Sequence, residues 1–176
     1  MLNNKTMIPW ESEDAWSQAI LSISKTISAL AEKGSEITRI RTLAEHVVED
    51  YAKLETVLDR ICSTSCSTCV DVCCSKATVW YDLKDLLIVY LNTGTLPEGQ
   101  IYKRPDYSCC NLTPSGCRLM RSDRPFICTW YICPDQKSII AGLPDSAERT
   151  ALFRTIDKIK TARKDLEEAY LSAISC

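Results

Sequence analysis

Residues 35–62 read SEITRIRTLAEHVVEDYAKLETVLDRIC. Within them Ile37, Ile40, Ala44, Val47, Tyr51, Leu54, Leu58 and Ile61 recur in unbroken steps of three and four. That spacing is the seam of an amphipathic α-helix sustained over more than three heptads. Such a seam either builds the core of its own chain or offers a surface for a homodimer or another protein partner. For the 37–61 helix the core is the simpler reading, with the partner surface as its alternative.

Upstream, Trp16, Ile20, Ile23, Ile27 and Leu30 form a second apolar stripe, which begins near Ser12 and ends at Gly34. Only Lys33-Gly34-Ser35-Glu36 separates the two stripes, so an antiparallel helical hairpin is expected. Downstream, the seam runs into Cys62 and a cysteine-rich stretch. Thr78-Val79-Trp80-Tyr81 reads as extended chain. Asp82 then caps a helix through Leu86, Leu87, Tyr90 and Leu91, stopped by Asn92-Thr93-Gly94. Thr95 to Ser115 carries turn residues and no periodicity, a long loop that metal ligation would order. Pro144-Asp145 opens a last helix whose stripe is Leu152, Ile156, Ile159, Leu166, Tyr170 and Ala173; Lys158, Lys160, Arg163 and Lys164 read as its solvated face. The expected fold is mainly α: residues 1–61 a hairpin, 62–134 a small loop-rich Cys metal-binding module, and 135–176 a helix packing on the hairpin, the three forming one integrated domain.

Ten of the eleven cysteines fall between Cys62 and Cys133. Eight form a repeating pattern: Cys66-x2-Cys69-x3-Cys73-Cys74, then Cys110-x6-Cys117, then Cys128-x4-Cys133. The amino terminus shows no apolar signal segment, so a cytoplasmic, reducing setting is expected, in which clustered thiols serve as metal ligands rather than disulfides. A Cys-x2-Cys pair lets two sulfurs converge on one ion at about 2.3 Å from zinc. Eight thiolates exceed the four that one tetrahedral ion or one simple cluster accepts, which leaves room for two centres or for thiols that do not ligate. Cys109 beside Cys110 leaves open which of the two is the ligand, and Cys62, Cys109 and Cys176 stand outside the eight. Four thiolates around a divalent ion keep a net negative charge that nearby cations must offset; Arg118, Arg121 and Arg124 are available, Arg124 foremost. Trp130 and Tyr131 are expected to shield the site from water, and Asp71 to face solvent.

These residues resemble the YkgJ-type cysteine-cluster proteins, a zinc- or iron-chelating family marked by eight cysteines. The likeness runs from Cys66 to Pro134. Its most specific elements are Cys110-Asn111-Leu112, Gly116-Cys117-Arg118 and Arg124-Pro125-x2-Cys128. The family has two residues before its vicinal pair where this chain has three. The resemblance implies metal chelation by Cys66, Cys69, Cys73, Cys74, Cys110, Cys117, Cys128 and Cys133, with zinc preferred over iron or an iron–sulfur cluster. It also implies an alternative, an iron–sulfur protein with redox or methyl-transfer-associated activity, since relatives of the pattern occur fused to flagellin lysine methylases.

Other chemistries find little support. The net charge of −2 argues against nucleic acid and against a polybasic membrane anchor. The densest apolar run, Leu86 to Leu91, is about a third of a membrane span. His46 is the sole histidine and reads as an exposed helix residue, so a Cys–His hydrolase lacks its base and no catalytic constellation is recognisable. No glycine-rich phosphate loop is present.

Overall fold

The computed structural model describes residues 12–32, 34–66, 69–114 and 116–175, which leaves Cys176 and nearly all of the amino-terminal segment outside it. The described residues are mainly helical. The long elements are α1 (Glu13–Glu32), α2 (Ser35–Ser65), α4 (Leu83–Thr93) and α7 (Ser146–Ser175); the short ones are α3 (Cys73–Lys76), α5 (Phe126–Trp130) and α6 (Pro134–Ala141). A two-stranded antiparallel ribbon, β1 (Leu112–Thr113) and β2 (Gly116–Cys117), and a 3-10 turn at Arg121–Asp123 complete the set.

Ser12 caps α1 by accepting from the Ala15 N–H at 3.0 Å, and Glu13 and Asp14 fill its acidic first turn. On α2 all eight seam residues, Ile37 through Ile61, are buried. Fully burying an aliphatic side chain of this size stabilises by about 1.5–3 kcal/mol, so the seam dominates the energetics of the frame. It packs chiefly against α7 and then α4, while α1 touches both α2 and α7. The frame is therefore organised around the α2–α7 pair, and the α1–α2 hairpin is the lesser contact. Because the seam is occupied within the chain, it is core and not a free partner surface.

The α7 stripe carries a correction. Its spacing leaves a gap between Ile159 and Leu166, and Arg163 fills it, 2% exposed. Arg163 donates to Asp85 at 2.7 Å, to Asp82 at 2.9 Å and to the Tyr51 hydroxyl at 3.2 Å, and its guanidinium lies 4.5 Å from the centre of the Phe126 ring. Lys158 is also committed, lying 2.8 Å from buried Asp50, and Lys160 sits 5.2 Å from the centre of the Trp130 ring. Of the four residues expected on a solvated face, Lys158, Lys160 and Lys164 are exposed, Lys164 in a pair with Glu168, and Arg163 alone is buried.

Asp82 and Asp85 form a reciprocal capping box at the start of α4, and Gly94 ends that helix in the left-handed conformation (φ 75°). Asp85 does more than cap: its other oxygen accepts from the Phe126 N–H at 3.0 Å, fixing the start of α5. The 95–111 loop is pinned by the protein itself. Gln100 takes the Tyr81 N–H at 2.7 Å and donates to the Tyr81 carbonyl at 3.2 Å; Arg104 donates to the carbonyls of Cys110 (2.7 Å) and Leu112 (3.1 Å). The chain's own hydrogen bonds thus order this loop. No helix among the described residues is long and apolar enough to cross a membrane.

Candidate metal centre

The ten described cysteines are all free thiols. The fold sorts most of them into two groups at different places on the frame.

The first group is assembled by backbone. Val72 leads into α3, which carries the vicinal pair Cys73-Cys74. The Cys74 carbonyl accepts from the Cys109 N–H at 2.9 Å, so the 102–110 segment is clasped to α3. The Leu112 N–H bonds back to the Cys109 carbonyl at 3.0 Å, and Leu112 is paired with Cys117 across the ribbon. Gly116 makes the return possible at φ 111°, a conformation that favours glycine. Cys128 arrives on α5, whose first N–H is held by Asp85. Four separated stretches of chain therefore deliver Cys74, Cys109, Cys117 and Cys128 to one region.

Electrostatics shows how crowded that region is. The hydrogen bond with Cys73, then burial, then the charges of Cys73, Cys128 and Cys109 push the Cys74 thiol far above its ordinary range. Burial first, then Cys117 and Cys109, raise Cys128 to about 12 against an opposing pull from Arg124. Burial likewise raises Cys109; the Asn111 N–H opposes this, while Cys110 and Cys117 add to it. Cys73 goes the other way, to about 6, because Cys74 donates a hydrogen bond to it that outweighs burial. Thiols arranged like this cannot all ionise beside one another without a cation. A divalent ion supplies that cation, and soft thiolates suit zinc or iron, so the donor set fits such a metal.

Of the adjacent pair left open by the sequence, Cys109 is the one whose charge reaches Cys74 and Cys128. Cys110 is buried, its amide donating to the Tyr102 carbonyl and its carbonyl held by Arg104.

The second group lies at the carboxyl end of α2. Cys62 sits one turn before the helix end and Cys66 is its C-cap. Cys133 caps α6, its Sγ accepting from the Gln136 N–H at 3.5 Å. Gln136 Nε2 donates to Cys62 Sγ at 3.3 Å and to Cys66 Sγ at 3.6 Å. The Cys69 N–H bonds to the Cys66 carbonyl at 3.4 Å. Cys62, which the spacing set apart, is thus in contact with a member of the eight. Its signal was in the sequence: Cys62 and Cys66 are four apart on a helix and share a face.

The arginines are distributed unevenly. Arg121, 2% exposed, pairs with Asp59 and sits against Cys62. Arg124 donates to the Leu119 carbonyl at 2.8 Å and Arg118 to the Asn111 side chain at 2.7 Å. Trp130 packs with Phe126 and under Lys160, while Tyr131 is exposed. Asp71 is exposed and paired with Lys76, and His46 is exposed on α2. Among the described residues, no three Cys, His, Asp or Glu side chains already converge tightly enough to share an ion. Both groups are gathered rather than closed, and metal would have to draw the sulfurs the remaining distance.

No protein family, curated protein or solved structure matches the chain.

Proposed function

We propose that this protein binds zinc, or iron in its place, through clustered cysteine thiolates in a reducing compartment, in the manner of the YkgJ-type proteins its motifs resemble. The principal ligands are Cys74, Cys109, Cys117 and Cys128. One observation carries the reading: four separated segments bring these thiols within reach of one another's charge, so that they can ionise together only with a cation among them. The metal, when bound, supplies positive charge and a coordination bond to each sulfur. The chain's own part is to hold the sulfurs on α3, the ribbon and α5, and to place Arg124 where it favours the Cys128 thiolate.

The test is anaerobic purification of the full chain from cells supplied with zinc and iron, followed by metal and sulfide analysis. Colourless protein carrying zinc supports a thiolate zinc site; brown protein with matching iron and sulfide moves the same ligands to an iron–sulfur centre. Protein that holds neither metal, with every thiol open to a thiol reagent under native conditions, overturns the reading.

A further inference from the structure

The group at the end of α2 is not an overflow of the first. Cys62 and Cys66 project from one helical face, buried Gln136 (7% exposed) aims its side-chain amide at both helix sulfurs, and the same residue's backbone N–H donates to the Cys133 sulfur at the cap of α6. Gln136 is held for this: its Oε1 accepts from the Cys133 N–H at 3.2 Å, so it cannot rotate away without breaking the capping box of α6. A second observation is independent of the thiols. The Arg121 side chain is 3% exposed, and its Nε has no hydrogen-bond partner among the described residues. A buried guanidinium N–H without an acceptor is costly, the more so in a charged group. Asp59 takes another of its nitrogens, and the neighbour left for the guanidinium is the Cys62 sulfur.

Charge makes the same point. The carboxyl end of a helix disfavours anions, so α2 alone is a poor place for two thiolates. The amino terminus of α6, the Arg121 cation and the Gln136 N–H donors reverse that bias around one spot.

We propose that the carboxyl end of α2 is a metal site separate from the first, in which Cys62, Cys66 and Cys133, with Cys69 as the fourth sulfur, bind a zinc-class divalent ion, and Arg121 and Gln136 offset the thiolate charge. The inference rests on the proposed function and extends it: Cys62 becomes a ligand, and the chain holds two ions. Cys69 joins because Cys66-x2-Cys69 is the spacing at which two sulfurs share one ion without backbone strain.

The experiment counts zinc in anaerobically reconstituted full-length protein and maps which thiols zinc protects from alkylation. The wild type takes up two zinc ions. Cys62→Ser retains one; Cys117→Ser also retains one, with Cys62, Cys66 and Cys133 still protected. Gln136→Leu weakens the α2-end ion roughly 10–100-fold, the usual effect of removing a hydrogen bond to a ligand, and leaves the other ion unchanged. If Cys62→Ser fails to fold, the wild-type alkylation map and the Gln136→Leu titration decide. The inference is overturned if zinc leaves Cys62 as reactive as in the metal-free chain, or if Cys62→Ser binds as much zinc as wild type. A single ion, lost in Cys117→Ser and kept in Cys62→Ser, overturns it while the proposed function stands. Uptake of no zinc overturns it too, and overturns the proposed function as well if the chain also takes up no iron.

Discussion

The helical frame and the cysteine module differ in what holds them. In the frame, α2, α4 and α7 bury long runs of aliphatic side chains, among them Val47, Leu87, Ile159 and Leu166 at 0% exposure. The module between Cys66 and Cys133 has elements of five residues or fewer apart from α4, and several large apolar side chains, such as Val70, Tyr102, Tyr107 and Met120, stay exposed. Its order comes from hydrogen bonds between side chains and backbone, and its thiols are crowded against their own ionisation. A frame stabilised by burial can stand alone, whereas the order of a module of this kind would rest in part on the metal proposed for it. The α4 capping box joins the two, since Asp85 faces the core through Arg163 and the module through Phe126.

The largest expected effect divides the two regions outright. Chelation under reducing conditions should abolish amide protection at Cys109, Leu112 and Arg118, whose N–H groups bond within the module, while α2 and α7 keep theirs. Hydrogen exchange read by mass spectrometry checks this. Loss of protection in both regions together would show that frame and module are one cooperative unit.

Arg163→Ala strikes the junction. Removing the guanidinium leaves Asp85, 4% exposed, without its cation and Asp82 with Lys84 alone, at a cost of about 3–5 kcal/mol. Burial already raises the Asp85 carboxyl to about 6 despite Arg163, so the unpaired acid should take up a proton instead of staying charged. Urea unfolding should show the loss in the whole frame, and Asp85→Asn in the same background should recover part of it. No recovery would mean that Arg163 acts by packing on Phe126 rather than through charge.

Gln100→Ala is expected to be smaller and local. It removes both partners of the Tyr81 backbone, about 1–3 kcal/mol of lost satisfaction, at a point where the loop and the start of α4 meet. Exchange should accelerate at Tyr81 and through 95–111, with the α2–α7 pair unchanged. If the metal-bound loop proves insensitive to this change, ligation and not Gln100 sets its conformation.

How far the sequence discloses each region follows from the same contrast. Apolar periodicity is a local signal, so the α2 seam, the α1 stripe, the Asp82 cap and the Gly94 stop are all legible from spacing. The charge of Arg163 points to solvent, but its register, four residues after Ile159 and three before Leu166, puts it on a buried stripe. In the module, spacing identifies the thiols as a set but not how they divide. Whether Cys109 or Cys110 faces Cys74 depends on an N–H bond from Cys109 to a carbonyl 35 positions earlier, and Cys62 joins Cys133 through a glutamine between helices. Such contacts are made by tertiary folding, and no short motif encodes them.

Acid should separate the regions in a fixed order. Thiolate ligation requires deprotonated sulfur, so metal is released as pH falls and the module loses order first. The frame responds later, through Asp50. Burial alone would raise that carboxyl, but hydrogen bonds from Lys158 and Lys53 outweigh it and leave it below its ordinary value of 3.8. A carboxyl lowered in the folded state gives stability that is complete above the unfolded value, and loses it as pH falls through the folded one. Its contribution to the frame therefore persists down to about pH 4 and disappears only below. Circular dichroism of the helices against metal release, followed from neutral to strongly acidic pH, should give two steps, the second shallower in Asp50→Asn. The acid-limb difference is small, since Lys53 and Lys158 are more than half exposed and solvent screens them. A single step in which helix content falls together with metal release would mean that the frame, for all its buried seam, is held by the thiol sites at its edge.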